Sequence, residues 1–155
     1  MNNKEVAPIL ILGLGNILLK DEGFGVHVMR ELVKKDLGDK VDIIEGATIG
    51  AGILGELEDR KKVIVIDAIK TSEPAGTLFK FGYKEIKNYY CDNAMSLHQL
   101  DFIKAIELAE FMGKEIPEIT IYGVQPKEIS LGMELTPEIK TKISETIKLI
   151  TDSLN

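Results

Sequence analysis

The chain has 155 residues, 45% hydrophobic and 28% charged, with 19 Lys and Arg against 25 Asp and Glu for a net charge of −6. That balance excludes a phosphate-backbone binder, which needs a basic face, and no apolar run approaches the ~20 residues of a membrane span. The length fits one domain over residues 1–155. The opening Met-Asn-Asn-Lys-Glu-Val-Ala-Pro has no signal-peptide layout, and the lone Cys91 permits no intrachain disulfide. A cytoplasmic protein is expected.

Residues 7–13 (APILILG) form an apolar run closed by glycine, the pattern of a strand buried on both faces. A glycine-rich turn, Gly13-Leu14-Gly15-Asn16, leads to Asp21, an N-cap candidate. Val26, Met29, Leu32 and Val33 then recur at helical spacing up to Lys35. Residues 41–45 (VDIIE) predict a second strand, 46–50 a loop, and Ile53, Leu54 and Leu57 a short helix ending near Arg60. Residues 62–67 (KVIVID) are the clearest buried strand. Residues 77–82 (TLFKFG), opened by Pro74-Ala75-Gly76, predict a fourth, and the polar stretch 83–95 a long irregular loop.

Ser96 with Gln99 makes a capping box for a helix over 97–112, with Gly113 at its C′ position. Residues 118–124 (EITIYGV) predict the fifth strand, and Thr136-Pro137 opens the last helix. Strand–helix alternation over residues 7–60 calls for parallel strands and right-handed crossovers, and the short link from third to fourth strand for one antiparallel member. The expected fold is α/β: a three-layer α/β/α sandwich around a mostly parallel, mixed five-stranded sheet.

In such a sheet, ligands bind beyond the carboxyl ends of the strands. Asp21 and Glu22 fall there after the first strand, Asp67 at the end of the third, and His98 in the first turn of the third predicted helix. Two carboxylates and an imidazole brought together suit a divalent transition metal such as nickel or zinc. Each also has a plainer reading. Asp21-Glu22 can be a helix cap with a favourable dipole partner, Asp67 a turn former, and His98 a solvent-facing side chain. His27 lies five residues beyond Glu22, off its helix face.

A dinucleotide reading of the glycine turn is weak, because Leu18 stands where the third glycine belongs and Asp21 and Glu22 would repel a pyrophosphate. A receiver-like phosphoacceptor domain, with magnesium at Asp21, Glu22 and Asp67, is the alternative. There the acid pair lies eight residues beyond Gly13, where a receiver places it directly after the strand, and His98 has no role.

Taken in order, the motifs resemble the hydrogenase maturation proteases. Residues 12–26 (LGLGNILLKDEGFGV) match that family's opening signature. Ile66-Asp67-Ala68, Ser96-Leu97-His98-Gln99-Leu100, Tyr122-Gly123-Val124-Gln125-Pro126 and residues 131–137 (LGMELTP) match later elements, so the resemblance spans roughly residues 9–150. It implies a peptidase of aspartic type with metal-dependent recognition, removing a C-terminal extension from the large-subunit precursor of a nickel-iron hydrogenase.

By the same resemblance Glu22, Asp67 and His98 contact nickel carried by the substrate, and Asp67 and Glu22 are the catalytic candidates. Glu45, Gly46 and Thr48 fall on the family's recognition loop, with Glu45 where Asp is commoner. That departure points to a specialised branch serving a deazaflavin-coenzyme-reducing hydrogenase. No serine elbow or His-Glu-x-x-His pair is present. Asp21 or Glu45 is a candidate for orienting the attacking water. Phe24, Tyr89, Tyr90 and Met95 are candidates to line a channel for the substrate tail.

Overall fold

The computed structural model describes residues 5–46, 52–93 and 96–155, with only the backbone at 91 and 92. The predicted sheet is present. β1 (Ile9–Gly13), β2 (Val41–Glu45), β3 (Lys62–Ala68), β4 (Leu78–Gly82) and β5 (Glu118–Val124) lie in the order β2-β1-β3-β5-β4. All neighbours pair in parallel except β4, which runs antiparallel to β5 at the edge. The chain leaves β1 for β2 on one side and returns to β3 on the other. The crevice between β1 and β3 is therefore the point where connections diverge, the usual ligand position in this architecture.

Alternation along the strands divides the core between two layers. Leu10, Leu12, Val63, Val65 and Ile121 face α2 (Ile53–Leu57), α3 (Tyr83–Asp92) and α4 (Leu97–Phe111). Ile11, Ile64, Ile66 and Tyr122 face α1 (Phe24–Val33), α5 (Pro137–Lys140) and α6 (Lys142–Ser153). Asp67 shares the phase of Val63 and Val65, so it is directed toward α3 and α4. Among the described residues, no helix is long and apolar enough to cross a membrane.

Two expectations need correction. Residues 83–92 form α3, a helix where the polar composition predicts a loop. Ile86 and Tyr90, four apart and so on one face, are buried there at 0% and 4% exposure and anchor an otherwise hydrophilic helix. The Glu85 carboxylate accepts from the Gly82 N–H at 3.4 Å and helps to start it. The second correction is at the first helix, which begins at Phe24 and not at Asp21. A 3-10 turn over Lys20–Gly23 precedes it, with Lys20 at φ 47°.

Glycine at 15 and 25 has a packing reason. Gly15 sits at φ 127°, and a Cβ there would overlap the Glu22 carbonyl. A Cβ on Gly25 would overlap the Ile66 carbonyl of β3. The glycine pattern thus draws the turn and α1 tightly onto the sheet, which accounts for it without a phosphate.

Candidate active site

Asp67 ends β3 with its side chain fully buried. A carboxylate there has to be paired or hydrogen-bonded. Its Oδ2 accepts from Gln99 Nε2 at 2.8 Å and from the Tyr90 hydroxyl at 3.3 Å, and its Oδ1 lies 3.1 Å from His98 Nε2. On the other side of the imidazole, His98 Nδ1 is 3.7 Å from Glu22 Oε1. Ser96 Oγ approaches Nδ1 at 3.0 Å. The expected capping box is formed: Gln99 N–H donates to Ser96 Oγ at 3.3 Å, and Ser96 N–H to Gln99 Oε1 at 3.1 Å. One helix start therefore delivers both His98 and Gln99 to Asp67.

These contacts shift the proton equilibria. Burial pulls the His98 pKa down, but the charge and hydrogen bond of Asp67, aided by the Glu22 charge, outweigh it and leave it above the ordinary 6.5. Burial raises Glu22 above 4.5; Asp67 adds to this, while His98 and Lys70 oppose it. The Tyr90 hydroxyl is pushed far up, first by burial and then by the Asp67 charge, so it remains a donor. Lys70, three residues beyond Asp67, carries no motif in the sequence. Its influence on Glu22 emerges only when the loops after β1 and β3 meet.

The structure brings Glu22, Asp67 and His98 together and leaves Asp21 out. Asp21 is fully buried and faces the opposite way. Its Oδ2 accepts from the N–H groups of Lys127 and Glu128, both at 2.9 Å, and its Oδ1 from the Thr136 N–H at 2.8 Å; the Thr136 hydroxyl adds contacts at 2.8 and 3.0 Å. Both oxygens are engaged. Asp21 is therefore neither the helix cap nor a group free to orient water, and the magnesium site at Asp21, Glu22 and Asp67 does not form. Its backbone neighbours reinforce the connection, with Lys20 N–H donating to the Gly132 carbonyl at 2.8 Å and Gly132 N–H to that of Leu18 at 2.9 Å.

An open cleft of about 620 Å³ lies over the site, lined by Gly15–Leu19, Glu22, Glu45, Ser96–His98 and Asp101. Glu45 is among the residues that line it. Gly46 is buried, its N–H bonded to the Gly13 carbonyl at 2.8 Å, and Thr48 lies outside the described residues. Of the channel candidates, Phe24 is fully buried in the core. Tyr90 holds Asp67, Tyr89 donates to the Lys70 carbonyl, and Met95 lies outside the described residues. Exposed apolar side chains on the cleft instead come from Leu18 and Leu97, at 53% and 82% exposure.

Oxygen, oxygen and nitrogen donors suit a borderline divalent ion. The imidazole now presents different nitrogens to the two carboxylates. Among the described residues, no three such donors are spaced to enclose an ion as they stand.

The fold and this site define a doubly wound α/β protein with an acid–imidazole centre at the divergence point of its sheet. A family model described as hydrogenase maturation protease matches residues 26–153. The chain is 32% identical to the hydrogenase 2 maturation protease of Escherichia coli strain K12, covering 94% of this chain and 90% of that one. It is 34% identical to the coenzyme F420 hydrogenase subunit delta of Methanothermobacter thermautotrophicus, covering 96% and 95%. Among solved structures, the hydrogenase maturating endopeptidase HybD from E. coli superposes with a TM-score of 0.88 at 32% identity, covering 94% of this chain and 91% of that one. The chain belongs to the hydrogenase maturation proteases.

Proposed function

We propose that this peptidase removes the C-terminal extension of a nickel-iron hydrogenase large-subunit precursor after nickel has been inserted. Substrate-borne nickel is the recognition element, met by Glu22, Asp67 and His98. The observation that carries the reading is the placement of His98 between two acids at the carboxyl ends of β1 and β3, where Asp67 is held by partners of its own.

Peptide hydrolysis needs an attacking water, a stabilised oxyanion and a proton for the leaving amine. Nickel held at a fixed point relative to the scissile bond supplies proximity. Asp67, buried and tied, is fixed in place. Glu22, partly accessible and pushed up by burial, is the better carrier of a proton between water and leaving group. Glu45 faces the same cleft and is a second candidate to orient the water. Leu18 and Leu97 offer apolar contact to an incoming tail. Glu45 on the recognition loop, with a relative named for an F420 hydrogenase, makes the precursor of a deazaflavin-reducing hydrogenase the first partner to try.

The test is intact mass against time for nickel-loaded and nickel-free precursor with the purified protein. Loss of one discrete C-terminal peptide from the loaded form alone is expected, abolished in Asp67→Asn, Glu22→Gln and His98→Ala. Equal cleavage of both forms would remove nickel from the reading.

A further inference from the structure

Asp67 has two oxygens with different fates. Oδ2 takes two donors, Gln99 Nε2 and the Tyr90 hydroxyl, whereas Oδ1 is turned to His98 alone. The Gln99 amide can adopt only one of its two orientations. Its Oε1 accepts from the Ser96 N–H, and its Nε2 faces both Asp67 Oδ2 and the Ala68 carbonyl at 3.3 Å. Reversed, its carbonyl would confront two acceptors and its amino group a backbone N–H, so every contact would be lost or repulsive.

We infer that Gln99, supported by Tyr90, is a positioning residue that locks the Asp67 carboxylate so that a metal entering the cleft meets one oxygen, Oδ1, and not a chelating pair. The inference rests on the reading above that Asp67 faces substrate-borne nickel. Helix capping alone does not account for this arrangement. A capping box needs only an acceptor at its third helical position, which Glu supplies as well as Gln. The contact with Asp67 needs a donor, which Glu at neutral pH does not supply. Tyr90 reaches the same oxygen from α3 and has no part in the cap. Two independent elements thus converge on Oδ2 and leave Oδ1 to His98 alone. A carboxylate fixed in this way cannot swing to chelate, so the oxygen it offers is set before the metal arrives.

The experiment uses the full chain with Ni2+ alone as probe. Calorimetry reads the dissociation constant, and isotope-edited infrared difference spectra with 13C-labelled aspartate read the splitting of the carboxylate stretches, which separates one-oxygen from two-oxygen binding. Thermal unfolding of the metal-free proteins reports the fold. Wild type is expected to show the one-oxygen splitting. Gln99→Met should bind about 10–100-fold more weakly, as for loss of an outer partner of a metal ligand, and should shift toward the two-oxygen signature. Tyr90→Phe, which leaves the cap intact, should move both readouts in the same direction by less. A two-oxygen signature in wild type overturns the inference. So do folded variants with wild-type binding and splitting, while the site reading survives. If Gln99→Met fails to fold, Tyr90→Phe decides by the same criteria. No nickel binding by wild type, equal to Asp67→Asn, overturns the site reading and this inference with it.

Discussion

Asp21 and Asp67 are both fully buried aspartates at the carboxyl end of the sheet, yet they are put to opposite uses. Asp21 is surrounded by donors, three from backbone N–H groups and one from the Thr136 hydroxyl, all contributed by residues 127–136. Asp67 has donors on one oxygen and an imidazole on the other. The saturated carboxylate is a structural joint. The half-saturated one gives its second oxygen to the His98 imidazole, a partner that can titrate. A buried acid is informative about function through the kind of partner it keeps: fixed backbone donors at Asp21, a titratable side chain at Asp67.

The sharpest way to break this comparison is Asp21→Ala. Three backbone N–H groups would lose their acceptor in the interior, at ~1–3 kcal/mol each, so a loss of about 3–5 kcal/mol in urea unfolding is expected. Stability unchanged by that substitution, with cleavage abolished, would reverse the roles assigned to the two acids.

A second effect follows from His98. With its folded pKa above 6.5, its contribution to stability is complete below 6.5 and is lost as pH rises through the folded value. Ring NMR titration should place the wild-type midpoint above 6.5. In Asp67→Asn, burial remains while the main opposing charge is gone, so the midpoint should fall below that of wild type and the stability loss toward high pH should shrink. An unmoved midpoint would mean that Asp67 does not balance His98.

The smallest effect belongs to the cleft rim. Leu97→Ser removes an apolar side chain that is already exposed, so folding stability should hold within about 0.5 kcal/mol. KM for the precursor should rise about five-fold, ~1 kcal/mol, if the tail packs there. Unchanged KM would place the tail elsewhere.

The five strands are legible in sequence because short runs of β-branched, leucine or aromatic residues have few other solutions. Val63, Val65, Ile119 and Ile121 carry that signal with little interruption. The three acid and imidazole positions are also legible, because strand ends and the first turn after a loop are the places this architecture offers a ligand. Residues 83–92 are not. A helix whose buried anchors among the described residues are Ile86 and Tyr90, with Tyr83 and Tyr89 half-buried beside them, has too weak an apolar face to outweigh its Asn, Lys and Glu content. Gln99 is visible as a cap, but its second contact depends on β3 ending beside α4. Asp21 is misleading for a related reason. Its partners lie 106, 107 and 115 residues further along, and a local reading finds only the nearest helix.

That separation has a consequence for the order in which the protein is made. The turn that carries Glu22 is joined to residues 127–136 by Asp21 and by the paired backbone around Gly132. A chain emerging from the ribosome has β1, the turn and even Asp67 long before those donors exist. Until Thr136 is available, the Asp21 carboxylate has no reason to leave water, and the acid beside it has no fixed seat. The centre is completed only once residues 127–136 have followed, so a copy that stops short of them would carry all three of Glu22, Asp67 and His98 and still lack the joint that seats Glu22.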